Sequence, residues 1–232
     1  LGDVYPLIKK IESRLTAADS VIRCAVVGSF RRMKETIGDI DILVSTKEPE
    51  KVINFFVKMP EVAEIKGKGK TKAFVELGNG IGVDLLVVPE ESFGSASQYF
   101  TGNKEHNISL RTLAVSMGFH LNEWGLYTKK KRKIAGTNEQ QIYNKLHLPL
   151  IPPELRENRG EIEYFSNNQN EILGLVDYGD LKGDLHTHSD ITDGTMSIKD
   201  MALQAKNKFG LDYIAITDHT KSLRLANGLN EK

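Results

Sequence analysis

Hydrophobic periodicity predicts an α/β chain of the α+β kind, a mixed sheet with helices on one face. Three observations carry this. Leu7, Ile8, Ile11 and Leu15 stand at helical spacing over residues 4–17, an amphipathic helix. Short apolar stretches at 21–27, from Asp39 onward, 62–66, 72–77 and 81–88 read as strands, with a helix expected over 49–59 behind Pro49. Gly78-Asn79-Gly80 makes a tight hairpin between the last two strands.

Further along, Ser92 caps a helix expected through Gln98, and Tyr99-Phe100-Thr101-Gly102 leads to a longer helix ending at Met117, with Gly118 as its stop signal. The basic run 129–133 (KKKRK) reads as a solvated turn after a strand. Thr137-Asn138-Glu139-Gln140 gives a capping box for a helix through Leu146, and 148–155 (LPLIPPEL) is a proline-stiffened exit. Residues 158–179 are polar and Asn-rich, a linker between a first region, 1–157, and a second, 180–232. In the second region a short strand meets Asp184-Leu185-His186-Thr187-His188-Ser189. Ser197 caps a helix ending near Gly210, and a strand over 213–217 ends at Asp218-His219.

Composition sets broad limits. The 232 residues have room for one large domain or two small ones, and 40% hydrophobic with 27% charged residues is ordinary for a soluble globular protein. No apolar run reaches membrane-spanning length and no signal-peptide pattern opens the chain, so no membrane partner is expected. The single cysteine, Cys24, lies in a predicted strand and allows no internal disulfide, as in a cytoplasmic protein. The 31 basic and 31 acidic residues balance, so any nucleic-acid footprint is local. Beginning at Leu1, the sequence reads as a piece of a longer protein.

The chemistry concentrates in residues 28–44, GSFRRMKETIGDIDILV. Strand alternation puts Asp39 and Asp41 on one face and Ile40 and Ile42 in the core. Two like charges there are best accommodated by a hard divalent cation such as Mg²⁺. Gly28-Ser29 opens a short helical turn whose backbone N–H groups can receive a phosphate, with Arg31, Arg32 and Lys34 beside it. A phosphate cradle next to a metal-binding carboxylate pair reads as phosphoryl chemistry on a nucleoside triphosphate. An Asp-x-Asp alone is common and often structural; the Gly-Ser turn ahead of it makes the pattern specific. Asp84, a lone carboxylate in an apolar strand, is costly to bury unless paired or metal-bound. Lys66, Lys68, Lys70 and Lys72 read equally as a solvated hairpin tip or as phosphate-neutralising groups. His186, His188, Asp193 and His219 gather at two strand ends as a metal-ligand cluster.

The Gly-Ser to Asp-x-Asp stretch matches the nucleotidyltransferase signature and resembles the family X DNA polymerases, as do Asp84 ahead of Pro89 and the segment 99–114 (YFTGNKEHNISLRTLA). The resemblance implies a nucleotidyltransferase-type palm over a mixed sheet, followed by a thumb. It implies two-metal nucleotidyl transfer from a dNTP to a primer 3′-hydroxyl on primer-template or gapped DNA, as in short-gap filling during base excision repair. Asp39, Asp41 and Asp84 would hold Mg²⁺ or Mn²⁺. Gly28, Ser29, Arg32 and Gly38 would hold the phosphates, and Tyr99, Phe100 and Gly102 would lie against the sugar. Asn107 and Arg111 fall at the family's minor-groove contacts, and a monomer is expected. Vertebrate members carry arginine where this chain has Gly82. The second region resembles the start of a PHP phosphoesterase domain, a (β/α) barrel present in bacterial members, with Zn²⁺ or Mn²⁺ at its ligands. Only about one and a half of its units are present, so 3′–5′ exonuclease activity is not expected from this chain. Two other readings stay open: a gapped-DNA-binding piece with little turnover, and a nucleotidyltransferase acting on a non-DNA substrate.

Overall fold

The computed structural model describes residues 2, 4–168 and 174–230, so residues 169–173 of the expected linker lie outside it. The chain divides into two compact units, Leu1–Glu171 and Ile172–Lys232.

In the first unit, α1 (Tyr5–Thr16) leads to β1 (Arg23–Val26), the one-turn α2 (Gly28–Arg31), β2 (Asp39–Ser45) and α3 (Pro49–Phe56). Then come β3 (Val62–Lys68), β4 (Lys72–Leu77) and β5 (Gly82–Val88). The strands form a five-stranded sheet in the order β1-β2-β5-β4-β3. β2 and β5 are parallel, and the other three pairings are antiparallel. Ile40, Ile42 and Val44 point to one face, where they pack with Ile8, Ile11 and Leu15 of α1 and with Val52, Ile53 and Phe56 of α3. This is the expected mixed sheet, and burial of these apolar stripes is what stabilises it.

The helices are not confined to that face. Leu43, pointing the other way, packs with Val27, Val88, Phe93 and Ala96, so α4 (Phe93–Thr101) covers the end of the opposite side. The rest of that side carries the carboxylates. α4 also runs past Gln98 to Thr101, so Tyr99 and Phe100 occupy its last turn, and Gly102 ends it at φ +70°. Ser92 stands at the N-cap position, but its hydroxyl is turned away. It donates to the Trp124 carbonyl at 2.9 Å and accepts from Lys133 Nζ.

α5 (Lys104–Ser116) follows, capped by Asn103, whose side chain accepts the His106 N–H. A small antiparallel sheet of β6 (Phe119–Asn122), β7 (Gly125–Thr128) and β8 (Lys133–Ala135) comes next, with the basic run at its β7–β8 turn. α6 (Glu139–Lys145) is capped by Asn138 rather than by Thr137: Asn138 Oδ1 accepts the Gln141 N–H at 2.9 Å. Glu139, the first residue of the helix, points at two arginines. The stretch expected as linker from 158 begins instead with ordered structure. α7 (Glu161–Asn167) buries Glu161 and Phe165, because the buried His106 on α5 supplies a partner that polarity alone did not reveal.

The second unit pairs β9 (Gly183–Thr187) in parallel with β10 (Tyr213–Ile216), connected through α8 (Ile198–Asn207). Ser197 caps α8 as expected, accepting the Asp200 N–H. His186 lies within β9, and His188 and His219 stand just past the two strand ends. No helix among the described residues is long and apolar enough to cross a membrane.

Candidate active site

The parallel pairing of β2 with β5 sets Asp39 opposite Gly82 and Asp41 opposite Asp84. Asp39 and Asp41 lie on one face, exposed and half-buried, while Ile40 and Ile42 are fully buried. Three carboxylates thus share one end of the sheet. Burial, then the charges of Asp39 and Asp84, push the Asp41 carboxyl up to about 6, against the opposing pull of Lys72 and Arg32. A carboxylate whose ionised form its neighbours disfavour, in an all-oxygen donor set, is one that a hard divalent cation relieves; Mg²⁺ or Mn²⁺ fits these residues.

Gly28 closes in on this group. It adopts φ +67°, and a Cβ there would overlap Asp41 Oδ2, so only glycine serves at this position. A cleft of about 360 Å³ opens beside it, lined by Gly28, Ser29, Arg32, Asp39, Asp41 and, from the α4–α5 side, by Tyr99, Phe100, Gly102, Asn107 and Arg111. Asn103 and Lys104, which sequence reasoning missed, complete the lining. Asn103 was legible as an Asn immediately before a helical run, the position of a cap.

Other residues are placed less simply. Gly38 is exposed ahead of β2 and does not line the cleft. Asp84 is also outside the lining, and its Oδ1 faces Lys72 Nζ at 3.0 Å. The Asn107 side chain is nearly buried: its Oδ1 accepts from Gln98 at 2.7 Å and its Nδ2 donates to the Tyr99 carbonyl. Arg111 Nε donates to the Asn107 carbonyl at 3.3 Å, one turn along the same face of α5. Tyr99 and Phe100 meet edge to face, centroids 5.1 Å apart. The four lysines do not act as one tip. Lys66 pairs with Glu64 and Glu76 and Lys68 donates to Asn54, both from β3; Lys72 sits on β4; Lys70 alone is in the turn.

The three basic residues after the Gly-Ser turn also have separate fates. Arg31 turns away from the cleft and forks onto Glu139, with Nη2 at 2.6 Å and Nη1 at 3.1 Å, and it also donates to Ser97 and Thr101. Glu139 in turn accepts from the fully buried Arg156 at 2.6 Å. Burial pushes the Glu139 carboxyl up, but the two arginines outweigh it and leave it below the ordinary range. Arg32 stays at the cleft, its Nε donating to Glu157 at 2.7 Å and its Nη1 to the Thr101 carbonyl. Lys34 pairs with the other Glu157 oxygen at 3.4 Å. Burial raises the Glu157 carboxyl, and Arg32 and Lys34 bring it below its usual value. None of these partners is visible in the sequence, because those of Arg31, Arg32 and Lys34 all lie 66 or more residues away along the chain.

In the second unit, His188, Asp193 and His219 offer ligand atoms within 4.8 Å of one another. The His188 and His219 rings stack at 4.4 Å, and the His186 ring lies 5.0 Å from that of His188 but outside the group. Asp218 braces the intervening loop, accepting from the Ser189 N–H and hydroxyl and from Thr192, and those bonds hold its carboxyl below the usual range.

A mixed sheet with paired carboxylates on adjacent parallel strands, beside a Gly-Ser turn, defines a nucleotidyltransferase-type palm. The DNA polymerase beta palm model matches residues 3–70 and the DNA polymerase beta thumb model matches residues 96–157. The DNA polymerase/3′-5′ exonuclease PolX of Bacillus subtilis is 37% identical over 232 residues, 99% of this chain and 40% of that protein. DNA polymerase lambda of Rattus norvegicus is 28% identical over 163 residues, 58% of this chain and 28% of that protein. This chain belongs to the family X DNA polymerases. It spans well under half the length of these relatives.

Proposed function

We propose that the chain catalyses template-directed nucleotidyl transfer from a dNTP to a primer 3′-hydroxyl, filling short gaps in DNA repair. The observation that carries this reading is the register of β2 against β5, which gathers Asp39, Asp41 and Asp84 at one edge of a cleft walled by Gly28, Ser29 and α5. The three carboxylates would hold Mg²⁺ or Mn²⁺, which supplies charge neutralisation at the triphosphate and acidifies the attacking hydroxyl. The chain's own residues do the rest. The Gly28-Ser29 backbone and Arg32 take the β- and γ-phosphates; Tyr99, Phe100 and Gly102 support the sugar; Arg111 meets the base pair from the minor-groove side. Positioning and charge neutralisation dominate such a displacement, and no covalent intermediate is required.

Lys66, Lys68, Lys70 and Lys72 are proposed as phosphate contacts to duplex DNA, with Lys72 leaving Asp84 as cation and primer arrive. His188, Asp193 and His219 are proposed to bind a further Zn²⁺ or Mn²⁺, with His186 at its edge. Residues 1–157 act as palm and thumb, and 180–232 as part of a PHP domain.

Primer extension on gapped DNA, with and without a template strand, tests the reading. Template-dependent addition supports it. DNA binding without addition points to a binding role, and template-independent transfer to a non-DNA substrate points to a different nucleotidyltransferase.

A further inference from the structure

Residues 156–161 reach back onto α5 at three successive points. Asn103 N–H donates to the Arg156 carbonyl at 3.0 Å, and Asn103 Nδ2 donates to Glu157 Oε2 at 3.3 Å. His106 Nδ1 lies 2.6 Å from Glu161 Oε1, and Ser109 Oγ donates to Asn158 Oδ1 at 2.9 Å. Positions 103, 106 and 109 form one stripe of α5 by their three-residue spacing. The neighbouring stripe, Lys104, Asn107 and Arg111, lines the cleft. The helix that presents residues to the nucleotide is thus held from its side by this short segment.

The segment is itself rigidly built. Glu161 accepts the N–H groups of Asn158 at 3.0 Å and Arg159 at 2.7 Å, and the far side of the His106 ring meets the Tyr143 hydroxyl at 3.1 Å. At its start, Glu157 touches both walls of the cleft. One carboxylate oxygen takes Arg32 Nε from the phosphate-turn side, and the other takes Asn103 Nδ2 from the α5 side. With Nε on Glu157 and Nη1 on the Thr101 carbonyl, the Arg32 guanidinium is held at two of its three nitrogens where the residue lines the cleft. A planar guanidinium fixed at two nitrogens holds its remaining N–H donors in one orientation, which favours a directed bond to a phosphate.

We propose that residues 157–161 are a strap completing the nucleotide side of the cleft, and that Glu157 is a positioning residue acting through Arg32. The assignment rests on the polymerase reading. Glu157 does not touch the triphosphate; it sets the angle at which Arg32 does.

The test uses the full chain on gapped DNA with Glu157→Ala, Glu157→Gln, Arg32→Ala and the Arg32→Ala/Glu157→Ala double variant. We expect Glu157→Ala to raise the KM for dNTP by about tenfold, the size of one lost charge-assisted hydrogen bond, with kcat much less affected. Glu157→Gln keeps an acceptor for Arg32 Nε and recovers most of the loss. The double variant is no worse than Arg32→Ala alone, because the second change acts only through the first. An unchanged KM, or losses that add in the double variant, overturns the assignment. A wild-type chain that adds no nucleotide overturns the polymerase reading instead. In that event, calorimetric titration with inorganic tripolyphosphate and Mg²⁺ still decides the strap: weaker binding by Glu157→Ala, recovered by Glu157→Gln, supports it, and equal binding rejects it.

Discussion

Lys72 Nζ lies 3.0 Å from Asp84 Oδ1, reaching from β4 onto β5 beside the cleft carboxylates. Gly82, two residues before Asp84, has no side chain, and the Phe74 ring lies so close over it that a Cβ would meet Phe74 Cε2 at 2.9 Å. The positive charge next to this carboxylate therefore comes from the neighbouring strand. A cation approaching Asp84 competes with that ammonium. Lys72→Met should tighten Mn²⁺ binding to the DNA-free chain several-fold, because a repelling charge is removed. Titration followed by the loss of free Mn²⁺ signal checks this, and equal affinities would refute competition.

Asp41 should show opposite effects on stability and activity. Its carboxyl is raised to about 6 in the folded chain, so the ionised form present at pH 8 is disfavoured by folding. Above that value the group costs stability, and a neutral Asn removes the cost. Asp41→Asn should therefore melt at a higher temperature than the wild type in chelator at pH 8, with the gap closing as pH falls below about 6. The same variant should lose nucleotide incorporation by roughly 10² to 10³-fold, as when one strong electrostatic contact leaves a transition state. A lower melting point would contradict the crowding of the three carboxylates.

Gly28→Ala should damage the site from the backbone side. The left-handed φ costs an L-residue about 1–2 kcal/mol, and the new methyl also collides with the Asp41 carboxylate. Both cation affinity and incorporation should drop, with secondary structure retained by circular dichroism. Unchanged Mn²⁺ affinity would mean that Asp41 can move aside freely.

Glu139→Ala should be the most destabilising single change among these. It leaves Arg156, whose side chain is fully buried, without its carboxylate, and it leaves Arg31 with only the Ser97 and Thr101 hydroxyls. Removing one partner of a buried pair costs about 3–5 kcal/mol, visible in urea denaturation.

The acid response of the wild type follows from the same groups. Glu139, Glu157 and Glu161 have carboxyls below their ordinary value when folded, so they stabilise above about pH 4.5 and that contribution is lost as pH falls through their lowered values. His106, pushed down mainly by burial, adds an earlier loss beginning near pH 6.5, where the unfolded chain takes up a proton that the folded chain refuses. In an Asp41→Asn background, where relief of the Asp41 cost below about pH 6 no longer offsets the His106 loss, stability should be flat above neutrality and decline in two stages on acidification. His106→Phe should remove the first stage, and a first stage that persists would place its origin elsewhere.

The sheet was legible because its strands alternate cleanly: Asp39, Ile40, Asp41 and Ile42 announce both a face and a core. The hairpin at Gly78-Asn79-Gly80 and the Asp-x-Asp pair after a Gly-Ser turn are local patterns, readable without a fold. What could not be read is non-local. Nothing in the Arg31-Arg32 dipeptide says that one side chain forks onto Glu139 while the other stays at the cleft beside Glu157. Helix α7 was read as linker because its polar residues look solvated until His106 is known to be buried opposite Glu161. The choice of Asn138 over Thr137 as cap shows how adjacent good cap residues leave a boundary undecided.

The parallel register of β2 and β5 has a consequence for the order in which the molecule forms. Had these strands run antiparallel over the same span, Asp41 would face Leu86 and Asp84 would face Leu43, and the two carboxylates would no longer stand opposite each other. Running parallel, they meet only after the chain has passed through α3, β3 and β4 and returned, a closure on the order of forty residues that forms slowly compared with local hairpins. Neither strand alone offers a cation more than a weak hold. If these carboxylates hold the proposed cation, its capture should appear during refolding together with completion of the sheet, after the β4–β5 hairpin is already in place.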